Sequence, residues 1–287
     1  KKAAFAEKWT ELIASGKLGY MALLRNLRNI LEADVDDNTI KDVAECIGDA
    51  QEVLKSKQFP FRFLSAYREL KTVCNGKVPI IMDSLEDAVQ ASAQNIKGFS
   101  KETRVLLACD VSGSMYTPIS PKSSVKNYDI GLVLAMLLRN RCENVVTGIF
   151  GDIWKAVAMP LRGILSNVEQ MYKREGEVGY STNGYKVIEY LRNKNIQMDK
   201  VMMFTDCQMW NSYGSGQTIQ SEWKKYKEIA PKAKLYLFDL NGYGQSPLNL
   251  ADNDVVLIAG WSDRVFDMLD AIEQGGNVLA KIKEIEL

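Results

Sequence analysis

The stretch that most narrows the choice of fold is Arg104-Val105-Leu106-Leu107-Ala108-Cys109-Asp110. Its apolar run is too short for a helix and lacks the alternation of a strand with one wet face. It therefore reads as a strand buried on both sides, as in a parallel sheet covered by helices. Val201-Met202-Met203-Phe204-Thr205-Asp206 repeats the design, an apolar run closed by an aspartate. From residue 104 onward such runs alternate with helical patterns. Strands are expected at 104–110, 144–150, 153–158, 200–205, 233–239 and 254–258, and helices at 126–140, 160–173, 184–194, 217–230 and 262–273. This is an α/β fold with a doubly wound, mostly parallel sheet. Gly151-Asp152 separates the second and third strands as a hairpin, so one edge is expected to be antiparallel.

Residues 1–100 read as an all-α helical-repeat segment, and 101–287 as the α/β domain. Phe5, Trp9, Leu12 and Ile13 form one helical stripe. The apolar positions 20, 23, 24, 27, 30 and 31 form another. A third helix is expected to be capped by Asp37, Asn38 or Thr39, with Ile40, Val43, Ala44, Ile47 and Leu54 inside. Pro60, then Gly76 and Pro79, punctuate two more helices, Phe61–Leu70 and Ile80–Ile96. The acidic run from Asp34 to Glu45 mimics a calcium loop but lacks its glycine at the sharp turn, so it reads as helix capping.

Bulk properties exclude several functions. The 287 residues contain no histidine, which removes imidazole bases, histidine triads and histidine zinc sites. Lys+Arg and Asp+Glu are 36 each, so total charge demands no nucleic acid or anionic membrane. No apolar run approaches the roughly 20 residues of a membrane span. Five cysteines, an odd number without a CxxC pair, are expected as free thiols in a reducing compartment, the cytoplasm. The chain begins on lysine, so a fragment of a longer protein is expected. No phosphate-binding GK[ST] loop occurs, and the glycines at 214–216 and 242–244 do not follow a strand–glycine–helix plan.

Beyond Asp110 lie Ser112 and Ser114. Thr182, in Tyr180-Ser181-Thr182-Asn183-Gly184, precedes a helix, and Asp206 closes a later strand. Ligands of open α/β sheets bind outside the carboxyl ends of the strands. Two carboxylates and three hydroxyls there make a hard oxygen set suited to magnesium, with manganese or calcium as alternatives. The order D-x-S-x-S, threonine, aspartate resembles the metal-ion-dependent adhesion site of the von Willebrand factor A domain. That resemblance implies direct binding by Ser112, Ser114 and Thr182, with the aspartates partly through water. It also implies an open position for a partner's acidic group, which makes the site a clasp and not a catalyst.

Leu18-Gly19-Tyr20-Met21-Ala22-Leu23-Leu24-Arg25-Asn26-Leu27-Arg28-Asn29 and Phe59-Pro60-Phe61-Arg62-Phe63-Leu64-Ser65-Ala66-Tyr67 resemble the TROVE module of Ro autoantigen and telomerase- and vault-associated proteins. The helix leading into Val105 also matches the Ro layout. The resemblance implies a helical ring closed by the A domain, a ribonucleoprotein role, and binding of small noncoding or misfolded RNA. About 100 helical residues are too few for a ring, so upstream repeats are expected outside this chain or lacking altogether. Residues 1–100 hold 14 basic and 14 acidic residues, without the basic excess usual for RNA binding. Arg25, Arg28, Arg62 and Arg68 are the candidate phosphate contacts, and solvated or acid-paired arginines are the alternative. The rival function is a module that grips an acidic protein ligand through the metal, without RNA. A metal-dependent hydrolase is least favoured, because no general base or substrate pocket is visible. Trp154, Trp210, Tyr213 and Trp223 could stack bases but fit core or rim positions better, and Cys109 and Cys207 read as small core thiols.

Overall fold

The computed structural model describes residues 2–58, 60–95, 99–174, 176–207, 216–242, 244, 254–260 and 264–273. The chain divides into two compact units, Lys1–Asn95 with Arg162–Asn167, and Ile96–Leu161 with Val168–Leu287.

In the first unit, α2 (Tyr20–Ala33) buries Tyr20, Leu23, Leu24, Leu27, Ile30 and Leu31, the stripe its spacing dictates. It stops where Asp34 turns left-handed (φ 61°) and its N–H bonds Leu31 O. Helix α3 (Asp37–Gly48) is capped by Asp36, one residue earlier than expected. One Asp36 carboxylate oxygen accepts the Thr39 N–H (2.9 Å) and the other the Thr39 hydroxyl (2.8 Å). These bonds hold the Asp36 carboxyl below its ordinary pKa. The acidic run is thus a turn and a cap. The single helix expected through Leu54 breaks, because Asp49 accepts the Glu52 N–H (2.8 Å) and starts α4 (Ala50–Ser56). Helix α6 (Val78–Ser92) packs on α3, α4 and α5 (Pro60–Leu70). Helix α1 (Lys2–Ala14) forms on its expected stripe yet buries no residue, with Phe5 63% exposed.

The second unit is built on a six-stranded sheet of order β3-β2-β1-β4-β5-β6. Its strands are β1 (Val105–Asp110), β2 (Val145–Phe150), β3 (Trp154–Ala156), β4 (Lys200–Thr205), β5 (Lys234–Asp239) and β6 (Val255–Ala259). All pairs are parallel except the β2–β3 hairpin, as the Gly151-Asp152 break predicts. β1 and β4 are buried along their whole length. At their amino ends, Arg104 holds Asp199 through its backbone N–H (2.9 Å) and its guanidinium (2.7 Å). Helix α7 (Asn127–Arg139) packs on β1 and β4, while α9 (Tyr185–Asn193) and α10 (Ile219–Ile229) share one core with the strands. The remaining helices are α8 (Ile164–Met171) and α11 (Arg264–Glu273). No described helix is long and apolar enough to cross a membrane. The residues 277–287 expected to add a closing element lie outside the described residues.

Helix α7 approaches the sheet at Gly131, where a Cβ would lie 2.9 Å from Phe204 Cβ. Gly131→Val therefore overpacks the α7–β4 interface and is expected to cost about 1–3 kcal/mol. An unchanged urea midpoint and slope would contradict that close approach.

Candidate functional site

Parallel pairing sets the site. Cys109 stands opposite Phe204 across β1 and β4, so Asp110 and Asp206 emerge together at the carboxyl edge. Both aspartates are 1% exposed. Asp110 Oδ1 accepts the Ser112 N–H (2.8 Å), which folds the chain back over the strand end. Ser112 and Ser114 hydroxyls lie 3.4 Å apart, Ser114 in the 3₁₀ turn Gly113–Tyr116.

The Thr182 loop reaches this rim from before α9. Gly113 N–H bonds Tyr180 O (3.4 Å), tying it to the Asp110 turn. Asp152 secures its other side. Its carboxylate accepts the Ser181 N–H (2.8 Å), and its carbonyl accepts from the Asn183 amide (3.0 Å). Gly179 (φ +78°) is needed beneath, because a Cβ there would fall 2.1 Å from an Asp152 carboxylate oxygen. Thr182 is buried. Asp110, Ser112, Ser114, Thr182 and Asp206 are thus delivered to one end of the sheet by three separate segments.

Two further residues complete the rim. Thr205 donates its hydroxyl to Asp110 Oδ2 (2.6 Å). Asp239, at the end of β5 and wholly buried, accepts the N–H groups of Gly242 (3.1 Å) and Gly244 (2.7 Å). The signal for Asp239 was present, since Lys234-Leu235-Tyr236-Leu237-Phe238-Asp239 is a third apolar run closed by an aspartate. Burial, reinforced by the Asp206 charge, pushes Asp110 up to about 7, against the hydrogen bonds from Ser112 and Thr205. Cys207, following Asp206, is pushed up by burial and then by Asp239, Asp206 and Asp110. It and Cys109 are buried core thiols, and all five cysteines are free.

Among the described residues no group of three or more His, Cys, Asp or Glu is placed to hold a metal. The five expected residues instead pair two carboxylates with three hydroxyls. A hard divalent cation fits that set chemically, supplying the positive charge two enclosed carboxylates need.

The candidate arginines lie on the helical unit. Arg25 and Arg28 belong to α2, and Arg62 and Arg68 to α5. The first three are exposed and Arg68 half-buried; Arg28 Nε pairs with Glu32 (2.8 Å), as the alternative reading expected. Trp223 is buried and donates to Asp254 (3.2 Å), and half-buried Trp154 leans on Tyr190 (ring centroids 5.9 Å apart). Trp210 and Tyr213 lie outside the described residues.

Comparison with known proteins gives both halves counterparts. Residues 1–109 match the TROVE domain, and residues 104–272 match the Ro60 vWA domain. Telomerase protein component 1 of Rattus norvegicus is 43% identical over 65 residues, covering 23% of this chain and 2% of that protein. The Mus musculus protein of that name is 44% identical over 62 residues, 22% of this chain and again 2% of the relative. The chain thus spans only a small part of these relatives. The crystal structure of the Deinococcus radiodurans RO (RSR) protein superposes with a TM-score of 0.67 at 20% identity, covering 88% of this chain and 52% of that one. At that identity the likeness speaks for the fold.

Protonated Asp110 is favoured in the folded chain, so its contribution is complete below the ordinary carboxylate range, near 4. It is lost as pH rises through about 7. In chelator-treated buffer, wild-type stability is expected to fall across that window and Asp110→Asn to lack this component. Parallel pH profiles by chemical denaturation would refute it.

Proposed function

Since the chain belongs to the Ro/TROVE family, with a TROVE domain leading into a Ro60-type von Willebrand factor A domain, we propose that it is a non-enzymatic, RNA-binding ribonucleoprotein component. The observation that carries this reading is the succession of those two domains along one chain. The RNA class is small noncoding or misfolded RNA. Arg25 and Arg62, exposed on α2 and α5, supply phosphate contacts, joined by Arg28 and Arg68 when those exchange their present partners for phosphate. Free thiols suit a reducing compartment such as the cytoplasm.

The A domain holds a divalent cation, magnesium by preference, at its acid-rich rim. Ser112, Ser114 and Thr182 offer hydroxyl oxygens to it. Asp110 and Asp206 balance its charge, Asp110 through lone pairs not used by Ser112 and Thr205. The cation supplies charge compensation and a fixed point for a partner's oxygen. The chain's own residues orient and enclose it. Absence of any imidazole in the chain is consistent with a binding role.

Filter binding with single-stranded and structured RNA across a salt series tests the first part. Retention should fall steeply with salt, and retention at the nonspecific level even in low salt would end the RNA reading for this chain. For the cation, magnesium at about pH 8 should raise the melting temperature of wild type but not of Asp110→Ala. Equal melting curves with and without magnesium in wild type would count against a tight site.

A further inference from the structure

At the opposite edge of the sheet from Asp110, a groove of ≈ 720 Å³ opens between the end of α10 and the starts of β5 and β6. Lys224, Lys227, Lys232 and Lys234 line it, and Asp254 is its one acid among the described residues. These lysines gather because of local geometry. Lys224 and Lys227 are three apart on one face of α10, and Lys232 and Lys234 alternate on the entry to β5. The floor is internally neutralised. Lys227 Nζ pairs with Asp254 (3.0 Å) and donates to Ala233 O (2.8 Å), while the Trp223 indole N–H donates to the same carboxylate. Lys224, Lys232 and Lys234 remain above that floor. Among the described residues none of the three has an acidic partner. Three uncompensated cations thus stand together on a chain whose total charge is zero.

We propose that this groove binds the phosphodiester backbone of single-stranded RNA, a second binding surface built from residues other than the helical arginines; the inference rests on the RNA-binding reading above. Lysine ammonium groups are mobile point charges that donate to phosphate oxygens from many directions. An acidic peptide would be gripped better by bidentate arginines, and none lines the groove among the described residues. Trp223 is buried, so the described residues give the groove no aromatic platform for stacking bases. Its contribution is therefore sequence-independent and carried by counterion release.

Fluorescence anisotropy with a labelled oligouridylate tests this on the full chain, across a salt series. The variants are Lys224→Gln/Lys232→Gln/Lys234→Gln and, separately, Arg25→Gln/Arg62→Gln. The triple variant should keep the wild-type melting temperature and bind about 10-fold more weakly at low salt. Its log–log salt slope should be shallower by about 2, near 0.7 for each phosphate no longer neutralised. Triple-variant binding equal to wild type in affinity and slope overturns the groove assignment while leaving the RNA reading intact. Wild type that binds no oligouridylate overturns both. Poly-glutamate retained in a lysine-dependent manner, with RNA binding insensitive to the lysines, overturns it in favour of an acidic protein partner.

Discussion

Three carboxylates at the ends of three neighbouring strands govern the architecture of the A domain. Asp110, Asp206 and Asp239 leave β1, β4 and β5 on one edge, all enclosed. Like charges removed from water repel and lose hydration, so each needs donors from its surroundings. Asp239 is met by the Gly242 and Gly244 amides, and Asp110 by the Thr205 hydroxyl and the Ser112 amide. The sharp turns after β1 and β5 are as much consequences of those charges as of chain direction. Two acids side by side, with hydroxyls converging on them, are an arrangement that water alone satisfies poorly and a small cation satisfies well.

The second determinant is the stiffness of the Thr182 loop. Asp152 comes from the β2–β3 turn, yet it fixes Ser181 and Asn183 nearly thirty positions later. Hydrogen bonding to Ser181 keeps the Asp152 carboxyl below its ordinary range, so the clamp stays charged at neutral pH. Thr182 is thereby presented by a braced segment, with glycine at 179 leaving room for the brace.

Much of this was legible in the sequence because it rests on local pattern. Two-sided burial of Val105–Cys109 and of Val201–Phe204 follows from unbroken apolar runs, and the hairpin edge from Gly151-Asp152. What escaped rests on partners far apart in sequence or on competition between near-equal local choices. Thr205 reads as an ordinary strand residue until β1 lies beside β4, and Asp152 reads as a turn residue until the Thr182 loop arrives. Asp36, not its neighbours, caps α3, and Asp49 restarts a helix within an uninterrupted apolar period. A capping aspartate is favourable in either register, so only packing decides. Helix α1 shows the converse, since its stripe predicted a helix correctly but not how much of it would be covered.

Thr205 and Asp110 are 95 residues apart and meet only when β4 has docked against β1. The intervening chain carries α7, the β2–β3 hairpin and α9. Strand pairing at such a separation costs closure entropy before its contacts repay it, which slows folding. The acid rim is consequently incomplete in any state in which β4 is not docked on β1. A ligand that recognised the complete rim would therefore bind only chains in which β1 and β4 are already paired.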